Sequence, residues 1–453
     1  KKGNTQEYFK STKSQTMGSA CSSEAAPVAN AGGTKTSPAP QTKKSHSIKH
    51  GNSIRVNDHE ADSHMEENLC ASLTNKKFLE KYELVQPTPL GKGAFASVYW
   101  VRDVKTKEDW AMKVVDKNHL SLEDGELQAI RWEAEAQMLC HEPGVVELRE
   151  SFEVSDGGDL DKGFIYMAME MCKGGELFDR IMEKSCYTEL DAILVVRSIA
   201  KALANCHVHS VVHLDLKPEN VLYVDKEGEP DGESVKLCDF GISRTMDPDH
   251  PAGGELTADG HCAPDGRLHG TPGYIAPEMI NQEPFDGKCD VWQLGVMAYI
   301  LISGIPPFEE PQHLEGTPEG MEAMFEYIKA GDYFPFDEYQ PMGKEANPWE
   351  VCSKDARDFV KKCLIPSTKD RPSMKELLVH PWIANDTTRV AAAREKVINP
   401  TKTRLRKMMM RAKLQKGIRH CIIVNRLNKA ATAFAAKPAN MKYSEMQAAA
   451  ATN

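Results

Sequence analysis

Three polar residues, Asp215, Lys217 and Asn220, lie within six positions of one another, between two apolar runs in V-V-H-L-D-L-K-P-E-N-V-L. A carboxylate, an ammonium group and an amide are costly to place beside a hydrophobic core unless they bind charge. The segment therefore predicts a site for a charged ligand.

A second carboxylate, Asp239, ends the run V-K-L-C-D and is followed by Phe240 and Gly241. A carboxylate at the end of a strand, next to a glycine that can act as a hinge, suits Mg²⁺, because this hard cation prefers oxygen donors. Asp239 is therefore a candidate metal ligand.

A glycine-rich segment, L-G-K-G-A-F-A-S-V, precedes both clusters. Two glycines in a tight turn between strands let backbone N–H groups approach a phosphate closely. Such turns are common, and an alanine stands where a third glycine would be expected, so the segment is weak evidence when taken alone. It comprises Leu90, Gly91, Lys92, Gly93, Ala94, Phe95, Ala96, Ser97 and Val98.

A lysine that could reach the same phosphates is Lys113, fifteen residues after Val98 in A-M-K. The alternative is a lysine solvated on the surface. Glu135, in a helical stretch that ends E-A-Q-M-L, is predicted to hold Lys113 by an ion pair, and Glu133 is the competing choice.

The elements that would position these residues follow from hydrophobic periodicity. Apolar residues alternate over 95–101, which predicts a strand, and recur at three- and four-residue spacing over 127–139 and 190–206, which predicts helices. The longest apolar run, Leu294–Ile305, is too short to span a membrane and is interpreted as a buried helix. A strand-rich part therefore precedes a helix-rich part.

Composition excludes several classes of protein. The 453 residues carry a net charge of −10, which argues against nucleic acid as a partner. The 12 cysteines include no C-x-x-C pair, as is typical of reduced thiols in a cytoplasmic protein. Residues 1–81 begin with a segment poor in large apolar residues, which predicts a disordered N-terminal tail.

Taken in order, the glycine loop, A-M-K, H-L-D-L-K-P-E-N, D-F-G and A-P-E (Ala276–Glu278) resemble the motifs of the eukaryotic protein kinases. The resemblance covers residues 82–383. It implies an α+β, two-lobed fold with a small β-rich lobe at 82–169, a larger helical lobe at 174–383, and ATP bound between them.

The resemblance also implies a role for each candidate residue. The glycine loop covers ATP, Lys113 grips its α- and β-phosphates and is held by Glu135, and Asp215 accepts the proton of the substrate hydroxyl. Lys217 lies beside the γ-phosphate, and Asn220 and Asp239 bind Mg²⁺. The adenine would be enclosed by Val98, Ala111 and Leu222, with Met169 as gatekeeper and Glu170, Met171 and Cys172 as hinge.

The branch of the family is indicated by further motifs. Lys217-Pro218 and G-T-P-G-Y, in which Thr271 lies on the substrate side, resemble serine/threonine kinases. G-G-E-L-F, G-I-P-P-F and H-P-W resemble the calcium/calmodulin-dependent group. Glu176 and Glu219 match positions that bind a substrate arginine in basophilic relatives. The alternatives are ribose binding for Glu176 and a solvated loop for Glu219.

Two departures concern regulation. Leu214 replaces the arginine that usually precedes the catalytic aspartate and binds a phosphate on the activation loop, a substitution that resembles the myosin light chain kinases. The segment from Gly241 to Gly270 is long and rich in Gly and Asp, and we interpret it as a solvated insertion with Thr245 and Thr257 exposed.

Both ends of the chain carry candidate signals. Met17, the first methionine, is the predicted start and opens M-G-S-A-C-S, which matches the myristoylation pattern with Gly18 as acceptor and Cys21 as a palmitoylation site. The alternative is a chance Met-Gly pair in a disordered tail.

Residues 384–453 form a tail in which 402–429 holds ten Lys or Arg residues and no acidic one. Residues 401–429 are predicted to form a basic amphipathic helix of the calmodulin-target or membrane-surface type. The alternative is a helix that docks on its own domain without a regulator.

The sequence therefore predicts a serine/threonine protein kinase that uses ATP and Mg²⁺, phosphorylates proteins with basic residues near the acceptor, and is regulated by calmodulin. It is expected in the cytoplasm, with membrane association where acylated. Three alternatives are a pseudokinase scaffold, a small-molecule kinase, and a calcium-dependent kinase truncated before its EF-hands. The presence of Lys113, Asp215, Asn220 and Asp239 argues against the first.

Overall fold

A computed structural model describes residues 73, 75–92, 96–120, 125–156, 159–183, 188–225, 234–250, 255–333, 336 and 347–384. All of these residues belong to one compact unit of the chain. The acylation motif at Gly18 and Cys21, the glycine-loop tip at 93–95 and the basic segment at 401–429 lie outside the described residues.

The N-terminal part is built on a six-stranded antiparallel sheet in the order β1-β3-β4-β6-β5, with β2 paired to β3. Buried and partly exposed residues alternate along β3, as the sequence predicted for a strand with one face on a core. The strands are β1 Tyr82–Leu84, β2 Gly91–Lys92, β3 Ala96–Asp103, β4 Asp109–Asp116, β5 Leu148–Asp156 and β6 Asp159–Glu170.

Two helices accompany this sheet, the short α1 (Lys76–Leu79) and α2 (Glu126–Leu139). The predicted helix at 127–139 is confirmed. Phe78 of α1 is fully buried and stacks near Tyr166 of β6, with ring centroids 5.7 Å apart. Leu127 of α2 packs in a separate cluster with Val115 and Met167. Each helix therefore contributes to a different hydrophobic cluster of the sheet.

The C-terminal part is mainly helical and shares one large hydrophobic core. Its long helix α4 starts at a capping box made by Thr188 and Asp191, and the predicted helix at 190–206 is confirmed. The helices are α3 Leu177–Glu183, α4 Glu189–Val208, α5 Pro277–Ile280, α6 Lys288–Ser303, α7 Pro318–Ala330, α8 Pro348–Val351, α9 Lys354–Cys363 and α10 Met374–Leu377. The short strands are β7 Gly175–Glu176, β8 Val211–Val212, β9 Val221–Tyr223, β10 Val235–Leu237 and β11 Arg244–Thr245.

Helix α6 is the buried helix that the apolar run predicted, although it ends at Ser303, one residue before Gly304. Its polar residues near the start, Asp290 and Gln293, are fully buried with the apolar ones. No helix among the described residues has the length and apolarity needed to cross a membrane.

A buried ion pair joins distant parts of this helical core. Arg371 donates from Nη1 to Oε1 of Glu278 at 2.7 Å and from Nη2 to Oε2 at 3.0 Å. It also donates to the backbone oxygens of Ile365, Lys288 and Pro366. Because all these groups are satisfied, the pair fixes α5 to the segment before α10.

Candidate active site

The loop that carries Asp215 runs from β8 to β9 and is held from below by α6. Asp290 accepts the backbone N–H groups of His213 and Leu214, each at 2.9 Å. Gln293 accepts the N–H of Leu216 at 2.9 Å and donates to the oxygen of Leu214 at 2.6 Å. Leu214 has a φ of 67°, a left-handed conformation that costs a non-glycine residue roughly 1–2 kcal/mol. The four hydrogen bonds hold the loop in this conformation.

A histidine completes the support under the loop. His207 Nε2 lies 2.8 Å from Oδ2 of Asp290. Burial alone would raise the pKa of Asp290, but the hydrogen bond and charge of His207, together with the groups of His213, lower it, so Asp290 remains a carboxylate. A side chain at Gly287 would meet the His207 ring at 2.8 Å, so glycine at this position makes room for the ring.

The predicted cluster on the loop is assembled around the carboxylate of Asp215. Its Oδ1 accepts from Thr271 Oγ1 at 2.8 Å, and its Oδ2 lies 2.5 Å from Nζ of Lys217. Lys217 also donates to Thr271 Oγ1 at 3.1 Å. Asn220 donates its Nδ2 to the backbone oxygen of Asp215 at 2.9 Å and to Oδ2 at 3.1 Å. Three side chains from two distant segments thus meet at the Asp215 carboxylate.

The charge of Lys217 is maintained by its neighbours. Burial alone would lower the pKa of Lys217, but the carboxylates of Asp215, Asp239 and Glu219 outweigh burial and raise it. The cluster therefore keeps a permanent cation beside the Asp215 carboxylate.

The second predicted lysine, Lys113 of β4, is paired with Glu133 and not with Glu135, so the sequence-based choice of Glu135 was wrong. Lys113 Nζ lies 2.5 Å from Oε1 of Glu133, whose side chain is 3% exposed. Glu135 is exposed. Two positions along a helix correspond to a rotation of about 200°, so the two glutamates point to opposite sides of α2.

Helix α2 is also fixed on the far side of the site. Trp132 donates its indole N–H to the backbone oxygen of Ser243 at 2.9 Å, in a fully buried contact. Burial would lower the pKa of Lys113, but the carboxylates of Glu133 and Asp239 outweigh burial and raise it. Helix α2 therefore holds a charged lysine next to Asp239.

Asp239 and Asn220 are the residues in this region that could hold a divalent cation. Asp239 is exposed, with a φ of 66°, and its Oδ1 accepts the N–H of Gly241 at 3.3 Å. A Cβ at Gly241 would lie 3.1 Å from that oxygen. The amide nitrogen of Asn220 is used on Asp215, which leaves the amide oxygen as its metal donor. An amide oxygen and a free carboxylate are the donors that Mg²⁺ prefers.

The residues predicted to enclose the adenine come from the sheet and from β9. Gly91 pairs with Val98 across β2 and β3, and Ala111 of β4 lies opposite Met169 of β6. Leu222 of β9 belongs to the other part of the structure. The side chains of Val98, Met169 and Leu222 are partly buried.

The hinge between the two parts carries two ion pairs. Lys236 of β10 reaches Oε1 and Oε2 of Glu170 at 2.8 and 2.5 Å. Lys173, whose N–H donates to Val224 in the helical part, reaches Oδ2 of Asp109 in β4 at 3.2 Å. Burial raises the pKa of the hinge thiol Cys172 to about 12, so this cysteine stays protonated at neutral pH.

On the substrate side, Glu176 lies in β7 opposite Leu222, and Glu219 lies in the one-turn 3-10 helix Pro218–Asn220. Both side chains are partly exposed. Glu219 therefore lies in the same loop as Asp215, whereas the structure places Glu176 beside β9.

The segment from Gly241 to Gly270 differs from its prediction as a solvated insertion. Thr245 is buried, not exposed, because β11 pairs with β8. Cys262 is buried and exchanges two backbone hydrogen bonds with Phe285, at 2.8 and 3.1 Å. Thr257 is partly buried, and its backbone N–H donates to the backbone oxygen of His261 at 2.8 Å.

Sequence reasoning missed three residues that support the site: Asp290, Gln293 and His207. An available signal was the position of Asp290 and Gln293 just before the apolar run of α6, where burying a polar side chain is as costly as it is around Asp215.

Comparison with known proteins identifies matches over the same region. The chain matches the model of the protein kinase domain over residues 84–383. It is 31% identical to the calcium/calmodulin-dependent protein kinase type II subunit delta of Oryctolagus cuniculus over 83% of this chain and 62% of that protein. It is 34% identical to myosin light chain kinase A of Dictyostelium discoideum, over 69% of this chain and 94% of that protein.

It is also 33% identical to calcium/calmodulin-dependent protein kinase type 1 of Macrobrachium nipponense, over 76% of this chain and 86% of that protein. Among solved structures, the twitchin kinase region from C. elegans superposes with a TM-score of 0.57 and 26% identity, over 74% of this chain and 50% of that one. The chain thus spans less than two thirds of the first of these relatives.

Proposed function

The chain belongs to the protein kinase family, in the calcium/calmodulin-dependent group of serine/threonine kinases, and from this membership we propose that it transfers the γ-phosphate of ATP to a serine or threonine of a protein. The observation that carries the proposal is the cluster of Lys217, Asn220 and Thr271 around the carboxylate of Asp215. A phosphate acceptor needs a base, and a transferred phosphoryl group needs cations, and the cluster has both.

In this mechanism Asp215 receives the proton of the acceptor hydroxyl. Thr271 and Asn220 hold the carboxylate by hydrogen bonds, so that its orientation is set before the substrate arrives. Lys217 lies between Asp215 and Thr271 and neutralises the charge that develops on the phosphoryl oxygens.

The nucleotide is positioned by the other half of the site. Lys113 binds phosphate oxygens of ATP and is oriented by Glu133. The glycine-rich segment, whose two arms are the paired strands β2 and β3, is assigned to the phosphates by its resemblance to the kinase motif. Asn220 and Asp239 would hold Mg²⁺, which supplies charge neutralisation on the phosphates when bound.

The test is phosphotransfer to a serine/threonine peptide library, with mass spectrometry of the products. Asp215→Asn should abolish transfer while leaving ATP binding nearly intact, because it removes a base and not a phosphate ligand. Lys113→Met should weaken nucleotide binding, and Asp332→Asn, an exposed aspartate outside the site, is the control. Activity of Asp215→Asn within tenfold of wild type would refute the assignment.

A preference for basic substrates is the finer part of the proposal, supported by the two partly exposed carboxylates of Glu176 and Glu219. Opposite charges across a binding surface give specificity and fast association. The peptide library should therefore enrich arginine on the N-terminal side of the acceptor, and Glu176→Gln with Glu219→Gln should remove that enrichment. If the double variant still enriches arginine to the same extent, Glu176 and Glu219 are not the residues that bind the substrate arginine.

Regulation by the basic segment 401–429 is proposed from its ten positive charges and its apolar face, since the segment lies outside the described residues. A peptide of residues 401–429 should bind Ca²⁺/calmodulin, and Leu414→Asp with Leu427→Asp should weaken the binding. Truncation after Asn385 should raise basal activity. The end of the domain remains anchored in that variant, because Arg197 donates to the oxygens of Ile383 and Ala384 at 2.6 and 3.3 Å. Unchanged activity after truncation would refute autoinhibition.

A further inference from the structure

Three charged or titratable residues of the segment after D-F-G form one contact cluster. Nη2 of Arg244 lies 3.0 Å from Oδ2 of Asp265 and 3.1 Å from Nε2 of His269, and the same Nε2 lies 2.8 Å from Oδ2 of Asp265. We call Arg244, Asp265 and His269 the Arg244 cluster. Its side chains are 21%, 37% and 17% exposed, so the contacts are partly shielded from water.

The cluster joins two parts of the active site. Arg244 lies in β11 opposite Val212 of β8, the residue before His213 in the catalytic loop. At the other end, His269 is two residues before Thr271, which donates to Asp215. Arg244 therefore connects the strand that leads into the catalytic loop with the segment that supplies Thr271.

The Asp265 end of the cluster is fixed by its own backbone contacts. Oδ1 of Asp265 accepts the N–H of Arg267 at 3.0 Å, and the oxygen of Arg267 accepts from Nε2 of Gln282 at 3.1 Å. Because the two carboxylate oxygens have separate partners, the aspartate cannot rotate without breaking one set. Burial would raise the pKa of Asp265, but the hydrogen bond and charge of His269, with Arg267 and Arg244, lower it, so the carboxylate is ionised near neutral pH.

Leu214 stands where a cation of the catalytic loop could otherwise bind a phosphate on this segment. The side chain is fully buried and apolar, so the catalytic loop presents no cation at that position to a phosphate on the segment. The cation on β11 is already paired with a carboxylate of the segment itself. A fixed carboxylate and a phosphate are both anions that an arginine binds through its N–H groups.

We propose that the Arg244 cluster positions Thr271, and through it Asp215, so that the segment is set for catalysis without a phosphate on it. The inference rests on the proposed kinase function and adds to it that Arg244, Asp265 and His269 are positioning residues. The anion that holds the segment in place is the side chain of Asp265.

The test compares purified full-length variants with unmodified wild type. Asp265→Asn should lower kcat for peptide phosphorylation about tenfold, the effect expected for one member of a coupled polar network. The KM for ATP should stay within twofold, because the Lys113–Glu133 pair and the hinge are not touched. Asp265→Glu, which keeps the charge, should recover at least a third of the wild-type kcat.

The matched control is Asp358→Asn. Asp358 also lies between a cation and a histidine, Nζ of Lys362 at 2.9 Å and Nε2 of His380 at 3.0 Å, but in α9 and outside the site. Its kcat should stay within twofold of wild type. Thermal unfolding of both variants separates a loss of stability from a loss of positioning, because only Asp265→Asn should lower kcat at a temperature at which both are folded.

Two further arms complete the experiment. Arg244→Gln with Asp265→Asn should be as slow as Asp265→Asn alone, since either change removes the same connection. Treatment of wild type with a protein phosphatase should leave kcat unchanged.

The proposal is overturned if Asp265→Asn keeps kcat within twofold of wild type, if the double variant regains wild-type kcat, or if phosphatase inactivates the enzyme. Should Asp265→Asn fail to fold, His269→Ala decides, because it leaves the Arg244–Asp265 pair in place: about a threefold loss of kcat is expected, and no loss refutes the proposal. A wild-type protein that phosphorylates no peptide would refute the kinase function itself, which is a different outcome.

Discussion

Replacing Glu133 by glutamine should slow the enzyme strongly, whereas the same change at Glu135 should have almost no effect. The Glu133 side chain is 3% exposed and that of its partner Lys113 is 19% exposed. Removing one partner of a buried ion pair costs about 3–5 kcal/mol, because the other charge stays buried and unpaired. Glutamine keeps a hydrogen-bond acceptor for the lysine, so we expect a smaller loss. Transition-state stabilisation should fall by about 2 kcal/mol, which is about thirtyfold in kcat/KM.

The assay is steady-state phosphorylation of one peptide at varied ATP, with ATP affinity measured separately by calorimetry. The loss should appear mainly in the KM for ATP and in the affinity for ATP, since Lys113 is the residue that would bind the ATP phosphates. Glu135→Gln is the matched control: it makes the same chemical change two positions away on α2, at an exposed site where substitutions usually stay within about 0.5 kcal/mol. Equal losses in both variants, or a loss below threefold in Glu133→Gln, would refute the reasoning.

Four other predictions follow from the structure and the sequence. Arg371→Lys should lower the free energy of unfolding by about 2–4 kcal/mol in urea titrations, because lysine cannot make the paired contact with Glu278, and an unchanged midpoint would contradict this. The lowered pKa of Asp265 means that its contribution to stability is complete above its ordinary pKa near 4 and is lost progressively as the pH falls further. The stability gap between wild type and Asp265→Asn should therefore narrow as the pH falls from about 5 towards 2, and a gap that widens there would contradict the prediction. Thr257→Ala should leave activity within about twofold, as measured with the same peptide, whereas abolished activity would place the switch in the activation segment. Gly18→Ala should move the protein from membrane to soluble fractions of cells, and intact-mass analysis without an acyl group on Gly18 would disprove acylation.

The two-lobed α+β fold could be predicted from the resemblance of the ordered motifs to those of protein kinases. The polar cluster of Asp215 could be predicted from the residues themselves, because it lies in a short motif whose burial is costly. Lys217 and Asn220 are two and five positions from Asp215, so a local pattern reveals them. The choice between Glu133 and Glu135 could not be made in this way. It depends on which face of α2 meets the sheet. That face carries Leu127, which packs with Val115 and Met167, and Met167 is forty residues away along the chain.

The same limit explains the activation segment. Its Gly and Asp content is typical of solvated loops, which led to the wrong interpretation of Thr245 as exposed. What orders the segment is pairing with distant chain: β11 with β8, Cys262 with Phe285, and Arg244 with Asp265. None of these contacts has a periodicity or a spacing that a single sequence displays.

The hinge ion pairs have a consequence for how the two lobes move against each other. Lys236–Glu170 and Lys173–Asp109 both join the helical part to the sheet, and their side chains are between 18% and 52% exposed. At 0.15 M ionic strength charges are screened over about 8 Å, and at 1 M over about 3 Å, so added salt weakens attraction at such exposed sites. Because salt weakens these ion pairs, the cleft between the two lobes should open more widely and more often as the salt concentration rises. In the proposed mechanism, the rate at which the product nucleotide leaves and ATP enters then depends on the salt concentration.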